Sequence, residues 1–284
     1  DFINKVRIFG FHFATLDIRQ DSRVHHKAFT QIVDDLAADG DTTFPKNYHH
    51  LSEDEQILIL SLVKGNIDPK ILSDEMSVKT IESIYALKTI QARNGERGAN
   101  RYIISNNQSA LNVMQTFAML NLCGFENELP VDVIPLFETV DDLENSSDVM
   151  RTLYSNQAYR YHLTKRKNKQ TIMLGFSDGT KDGGYLMANW GIFKAKEALT
   201  KISREFDIEV IFFDGRGGPP ARGGGKTHQF YASLGPTIED KEIQLTIQGQ
   251  TISSNFGTLN SSQFNLEQLI SSGIKNEVFT KDQL

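Results

Sequence analysis

Cysteine is nearly missing from this chain. Cys123 is the one among 284 residues, so no internal disulfide staples the fold. It lies in the apolar run Phe117–Cys123 and reads as a small core hydrophobe, consistent with a reducing compartment. An excess of positive charge is missing too. Thirty Lys and Arg stand against 36 Asp and Glu, a formal net charge of -6. That balance argues against nucleic acid or an anionic membrane surface as a partner. No apolar stretch is long enough to span a bilayer, and no signal-peptide pattern is visible in these residues. An anionic substrate would therefore need a local cluster of Arg and Lys, or a metal. The remaining composition, 39% hydrophobic and 23% charged, is that of a soluble globular protein, which excludes disorder, collagen and coiled coil. The length allows one large core or two small ones. The chain begins at Asp1 inside sequence that already reads as folded, and both ends look like cuts.

Short apolar runs alternate with helical sequence. Tyr102–Ile104, Val131–Phe137, Thr171–Phe176, Glu209–Phe213 and Ile243–Ile247 read as buried strands from their length and their β-branched or aromatic content. Val6–Ile18 fits helix or strand and leads into Asp17-Ile18-Arg19-Gln20. Lys79–Ala92 has helical periodicity, Ser109 suits the N-cap of Ala110–Cys123, and Asp182–Phe206 reads as one long helix. Residues 36–74 read as a helical excursion, with a capping-box pattern at Ser52-Glu53-Asp54-Glu55. This alternation predicts an α/β fold with parallel strands, either doubly wound or a (β/α)8 barrel. Polar clusters follow several different strands, which favours a barrel. Five or six of eight units are visible, so the expectation is an incomplete barrel in which residues 1–284 form the central part of one domain.

Two carboxylates close strands. Glu138 follows Val133–Phe137, and Asp178 follows Ile172–Ser177. Such a pair suits a hard divalent ion that keeps positions open for substrate and water. The plainer alternative is that both acids cap the helices after them. Lys181 would hold a carboxylate or an enolate, or else simply pair with Asp178 or Asp182. Arg19 emerges from an apolar segment, with Asp17 or Asp21 as the plain partner and a phosphate as the sharper one. His12 sits in an apolar run and reads as a satisfied core histidine, whereas His25-His26 and His49-His50 fall in polar contexts without metal-ligand spacing.

The stretch Phe213–Thr227 is the most informative. Six glycines with Arg216, Arg222 and Lys226 let backbone N–H groups and guanidinium forks approach an anion. Gly225-Lys226-Thr227 resembles the end of a P-loop, but Pro220 occupies the position of its first glycine. Pro220 also spoils a dinucleotide fingerprint starting at Gly215. An RNA-binding glycine–arginine tail does not fit between two strands of an acidic chain. Anion binding outweighs a mobile surface loop.

Taken in order, Leu16-Asp17-Ile18-Arg19-Gln20, Pro135–Thr139, Gly175–Asp178 with Lys181–Gly184, Gly215–Gly218 with Arg222–Gly225, and Gln248-Gly249 resemble the motif series of bacterial phosphoenolpyruvate carboxylases. The resemblance runs along nearly the whole chain. It implies a cytoplasmic homotetramer built on a (β/α)8 barrel with extra helices and using Mg²⁺ or Mn²⁺. Its substrates would be phosphoenolpyruvate and bicarbonate, and its products oxaloacetate and phosphate, an anaplerotic carbon fixation that feeds the tricarboxylic acid cycle. Carried over residue by residue, Glu138 and Asp178 are similar to the metal ligands. Arg19 and Arg216, with Gly217 and Gly218, are similar to the phosphate site. Lys181 is similar to the lysine near bicarbonate, Arg222 to the arginine of the mobile glycine loop, and Gln248 to a glutamine near the site. Three departures stand out. Asp214 replaces the usual His and would repel bicarbonate unless protonated or paired. Pro219-Pro220 stiffens the loop, and Gln250 replaces a Glu. The family's catalytic histidine motif belongs upstream of Asp1, so the chain alone is expected to be nearly inactive. The rival expectation, resting on Asp214, is a non-catalytic anion-binding or regulatory module.

Overall fold

A computed structural model describes residues 1–125, 129–219 and 224–278. The chain opens with α1 (Phe2–Phe9), β1 (Asp17–Asp21), α2 (Ser22–Ala38), α3 (Glu53–Leu60), α4 (Glu75–Asn94), β2 (Arg101–Ser105), α5 (Ala110–Leu122) and β3 (Asp132–Phe137). It continues with α6 (Val140–Ser155), α7 (Gln157–Lys165), β4 (Lys169–Leu174), α8 (Phe176–Glu205) and β5 (Glu209–Gly217). The last elements are α9 (Thr227–Ser233), β6 (Ile243–Ile247), α10 (Gln250–Phe256) and α11 (Leu259–Val278). Two compact units emerge: Asp1–Leu136 with Val149–Gln170, and Phe137–Asp148 with Thr171–Leu284.

In the first unit β1, β2 and β3 are parallel neighbours in chain order, with Arg19 opposite Ile103 and Ile103 opposite Ile134. Parallel strands need crossover connections, and helices supply them. The helix starts are legible in the chain. Asp21 caps α2 through the Arg23 N–H at 2.9 Å, and Asp74 caps α4 through the Ser77 N–H at 3.0 Å. Ser52 and Glu55 close a capping box on α3. Phe29, Ile32, Ile81, Ile84, Tyr102, Val113 and Met114 are buried in this unit. His25, read from the sequence as uninformative, is buried there as well. Its Nε2 lies 2.9 Å from the Tyr102 hydroxyl and its Nδ1 3.1 Å from Thr116 Oγ1. His12, expected in the core, is only half-buried, and α1 contributes no buried residue. Among the described residues the apolar side chains of α1 are exposed, so the helix alternative for this segment holds and only the core placement of His12 fails.

In the second unit the strand order is again that of the chain, β4 beside β5 beside β6. β5 and β6 are parallel, with Phe213 opposite Gln244. Among the described residues neither unit shows the order reversal that marks a doubly wound sheet. Two sequence expectations need correction here. The long helix begins at Phe176, not Asp182, and is broken at Gly184, whose φ of 79° and ψ of 169° are not helical. β5 runs on through Asp214, Gly215 and Arg216 to Gly217, so the start of the glycine stretch is strand and not loop. Its register against β6 slips between Asp214 and Gly217, a bulge of the kind that re-aims a side chain beside a site.

Candidate functional site

In the second unit two glycines let the backbone segments that carry Glu138, Asp178 and Arg216 approach closely. Gly175 directly follows β4, and its N–H donates to the Phe137 carbonyl at 2.8 Å. A Cβ at Gly175 would lie 3.1 Å from Glu138 Cγ and 3.2 Å from Glu138 Cα. A Cβ at Gly215 would lie 3.0 Å from the Leu174 carbonyl oxygen. A side chain at either position would require the neighbouring strand end to give by a few tenths of an ångström.

Glu138 is not the cap of α6. That role belongs to Thr139 and Asp142, whose side chains exchange hydrogen bonds with each other's backbone N–H at 3.1 and 3.0 Å. Asp178 sits in the first turn of α8, where an acid is favoured by the helix dipole. Its Oδ1 accepts from Lys181 Nζ at 2.6 Å, in a pair whose side chains are 68% (Lys181) and 48% (Asp178) exposed. The plain pairing anticipated for Lys181 is therefore the one found. Asp182 turns back to accept from the Val140 N–H at 3.3 Å. Among the described residues no group of three or more His, Cys, Asp and Glu gathers as a metal cage. Two hard carboxylates on touching backbone segments nevertheless fit Mg²⁺ or Mn²⁺, which commonly take one or two carboxylates and fill their remaining positions with water and substrate.

Arg216 is the most constrained cation of the cluster. It is 5% exposed, and its guanidinium lies 4.4 Å from the Phe230 ring centroid and 5.8 Å from that of Phe176. Burial lowers its pKa, while the neighbouring Tyr185, Tyr231 and Asp214 act in the opposite direction. A guanidinium stays protonated in proteins all the same. Its Nε and Nη1 have no hydrogen-bond partner among the described residues. A dry guanidinium with unmet donors is a costly arrangement that an anion would repair.

Asp214 does not confront that space as a bare charge. It is fully buried, and its Oδ2 accepts from Lys196 Nζ and from the Tyr231 hydroxyl, each at 2.7 Å. Lys196 is likewise buried. Desolvation lowers its pKa, against the pull of Asp214. The rings of Phe212 and Phe230 lie 4.9 and 5.2 Å from its ammonium. The expected repulsion of an anion by Asp214 is thus answered by a paired carboxylate. Lys196, Tyr231 and Phe230 escaped the sequence reading. One signal was available for Lys196: it falls in the buried stripe Ala188, Ile192, Ala195, Leu199 of α8, where a charge requires a partner.

The other expected site residues are placed as follows. Gln248 follows β6 and is exposed, and Gly217 and Gly218 continue from Arg216 at the end of β5. Arg19 lies on β1 in the first unit and is exposed. Arg222 and Pro220 lie outside the described residues. A family model described as phosphoenolpyruvate carboxylase matches residues 1–283.

Proposed function

The chain belongs to the phosphoenolpyruvate carboxylase family, and on that premise we propose that it supplies the metal- and phosphate-binding part of the carboxylation of phosphoenolpyruvate by bicarbonate. The observation that carries this reading is Arg216, buried on β5 with two donors unmet among the described residues. In the proposed chemistry a bicarbonate oxygen attacks phosphorus as the bond to the enol oxygen breaks. Carboxyphosphate and the pyruvate enolate form. Carboxyphosphate then releases phosphate and CO₂, and the enolate carbon takes up CO₂ to give oxaloacetate.

In this reading Arg216 holds the phosphoryl oxygens, with Gly217 and Gly218 allowing close backbone approach. Preorganised cations at sites of developing charge act most strongly where water is excluded. Glu138 and Asp178 would hold Mg²⁺ or Mn²⁺, which when bound supplies Lewis-acid stabilisation of oxygen anions. Lys181 would leave Asp178 to meet a carboxylate, a small change because an exposed pair is worth no more than about 1 kcal/mol. Arg222 would close the site against water, and Gln248 would border it. Chain-order winding within each unit supports reading the strands as part of a (β/α)8 barrel of which residues 1–284 are the central portion. The cytoplasmic homotetramer implied by the family belongs to the same proposal. No helix among the described residues is long and apolar enough to cross a membrane.

The rival non-catalytic module drew its support from Asp214, and the Lys196 partner weakens that support. Mn²⁺ titration of the chain, followed by the paramagnetic relaxation of water protons, tests the proposal. Binding that Asp178→Asn abolishes is expected, and binding indifferent to that substitution would overturn the metal assignment.

A further inference from the structure

We propose that Lys196 is a positioning residue which holds the Asp214 carboxylate off Arg216, so that the guanidinium keeps its full charge for an anionic, phosphate-bearing substrate. The inference deepens the reading of Arg216 as an anion-binding group and rests on it.

One residue separates Asp214 from Arg216 on β5, and the bulge falls at this point. Both are buried, and Asp214 is close enough to act electrostatically on the guanidinium. A carboxylate and a guanidinium so placed in a dry environment attract strongly and would ordinarily form a forked pair. Here they do not. Asp214 Oδ2 is taken by Lys196 and Tyr231, both at 2.7 Å, while Asp214 Oδ1 and Arg216 Nε and Nη1 have no partner among the described residues.

The charges explain the arrangement. Lys196 and Asp214 cancel, and Arg216 is left with an uncompensated positive charge. Remove Lys196, and Asp214 becomes a buried carboxylate with the Tyr231 hydroxyl still on Oδ2 and Arg216 as the neighbouring cation. The pair would close, and the anion site would be neutralised from within. Phe230 completes the device, because its ring meets Arg216 at 4.4 Å and Lys196 at 5.2 Å from the centroid. One aromatic side chain thereby stations both cations without supplying a counter-charge to either.

The test is calorimetric titration of phosphoenolpyruvate into the chain and into four variants. Arg216→Met is expected to lose binding. Lys196→Met should weaken it at least about tenfold, the loss of one charge-assisted contact. Lys196→Met/Asp214→Asn should return to within about threefold of the parent, because the competing carboxylate is gone. Asp214→Asn alone should bind at least as tightly as the parent. Melting temperatures are recorded alongside, because a merely structural role would make affinity follow stability and would leave the double variant weak. Should Lys196→Met fail to fold, the double variant and Asp214→Asn carry the same test.

Equal binding by the parent and Arg216→Met, or none by either, would sink the reading of Arg216 and this inference with it. Arg216-dependent binding that Lys196→Met leaves untouched would overturn the role of Lys196 alone, as would a double variant no better than the single. A ligand-free crystal structure of Lys196→Met tests the same role without any ligand. Asp214 is expected within hydrogen-bond reach of Arg216, and a carboxylate still turned away would overturn the proposal.

Discussion

The Lys196 ammonium and the Asp214 carboxylate meet at 2.7 Å with side chains 1% and 0% exposed, an ion pair closed off from water. Burying two charges costs several kcal/mol each, and their attraction recovers this only when both are present. Lys196→Met should therefore destabilise the chain, by less than the about 3–5 kcal/mol of a fully orphaned buried charge because Asp214 can turn to Arg216, whereas Lys196→Met/Asp214→Leu should be near neutral. Urea denaturation followed by fluorescence checks both. Equal losses in the single and double variants would mean that the pair is not the source of the cost.

Arg216 should behave in the opposite way. Its Nε and Nη1 are unmet among the described residues and its guanidinium is desolvated, with a side-chain hydrogen bond to Tyr185 the contact that would be lost, so an apolar replacement of similar length removes a largely unpaired buried charge. Arg216→Met is expected to leave the melting temperature unchanged or to raise it while phosphoenolpyruvate binding disappears. A melting temperature several degrees lower would show that the guanidinium is structural.

Gly175→Ala places a Cβ 3.1 Å from Glu138 Cγ and 3.2 Å from Glu138 Cα. The crowding involves backbone as well as side chain, so simple rotation does not relieve it. A loss of about 1–3 kcal/mol is expected, together with weaker Mn²⁺ binding as Glu138 is pushed aside. Thermal melts and Mn²⁺ titration of the same variant measure the two effects, and an unperturbed variant would refute the tight packing.

Acid should weaken the first unit through its buried histidines. Burial lowers the pKa of His25 to about 4 and of His162 to about 3. In the unfolded chain both protonate near 6.5, so below that pH the unfolded state binds more protons than the folded one. Stability then falls as the pH drops from 6.5 towards these folded values. At pH 5 the loss is about 2 kcal/mol for each group. Urea titrations at pH 7 and 5 should show it, and His25→Gln should reduce the pH dependence by about half.

Much of the framework was legible because its causes are local. Ser52 and Glu55 announced α3, and Ser109 announced α5, since capping depends on neighbours in sequence. The five strands read from apolar runs recur within a few residues; in β2, β3 and β5 burial leaves a near-continuous apolar signature, whereas β6, read as buried, alternates and is only half-buried. At the candidate site Asp178 and Arg216 were found through their motifs, but their settings were not. Lys196 and Asp214 are 18 residues apart in the chain, and only the packing of α8 on β5 joins them. Nothing in the spacing of Asp214 and Tyr231 reveals a shared hydrogen bond. His25 was misread for the same reason, as its partners Tyr102 and Thr116 lie 77 and 91 residues away.

The break at Gly184 sets a rule for lengthening or shortening the chain. Each residue of a helix turns its successors by about 100°. An insertion between Tyr185 and Lys196 would rotate the ammonium off Asp214 unless the rest of α8 rotated with it. At Gly184 the helical path is already interrupted, so an extra residue there can be absorbed as loop. The segment with Asp178 and Lys181 and the segment with Lys196 can thus vary in length independently at that joint, and homologous chains are expected to carry their insertions or deletions in α8 there and not farther along.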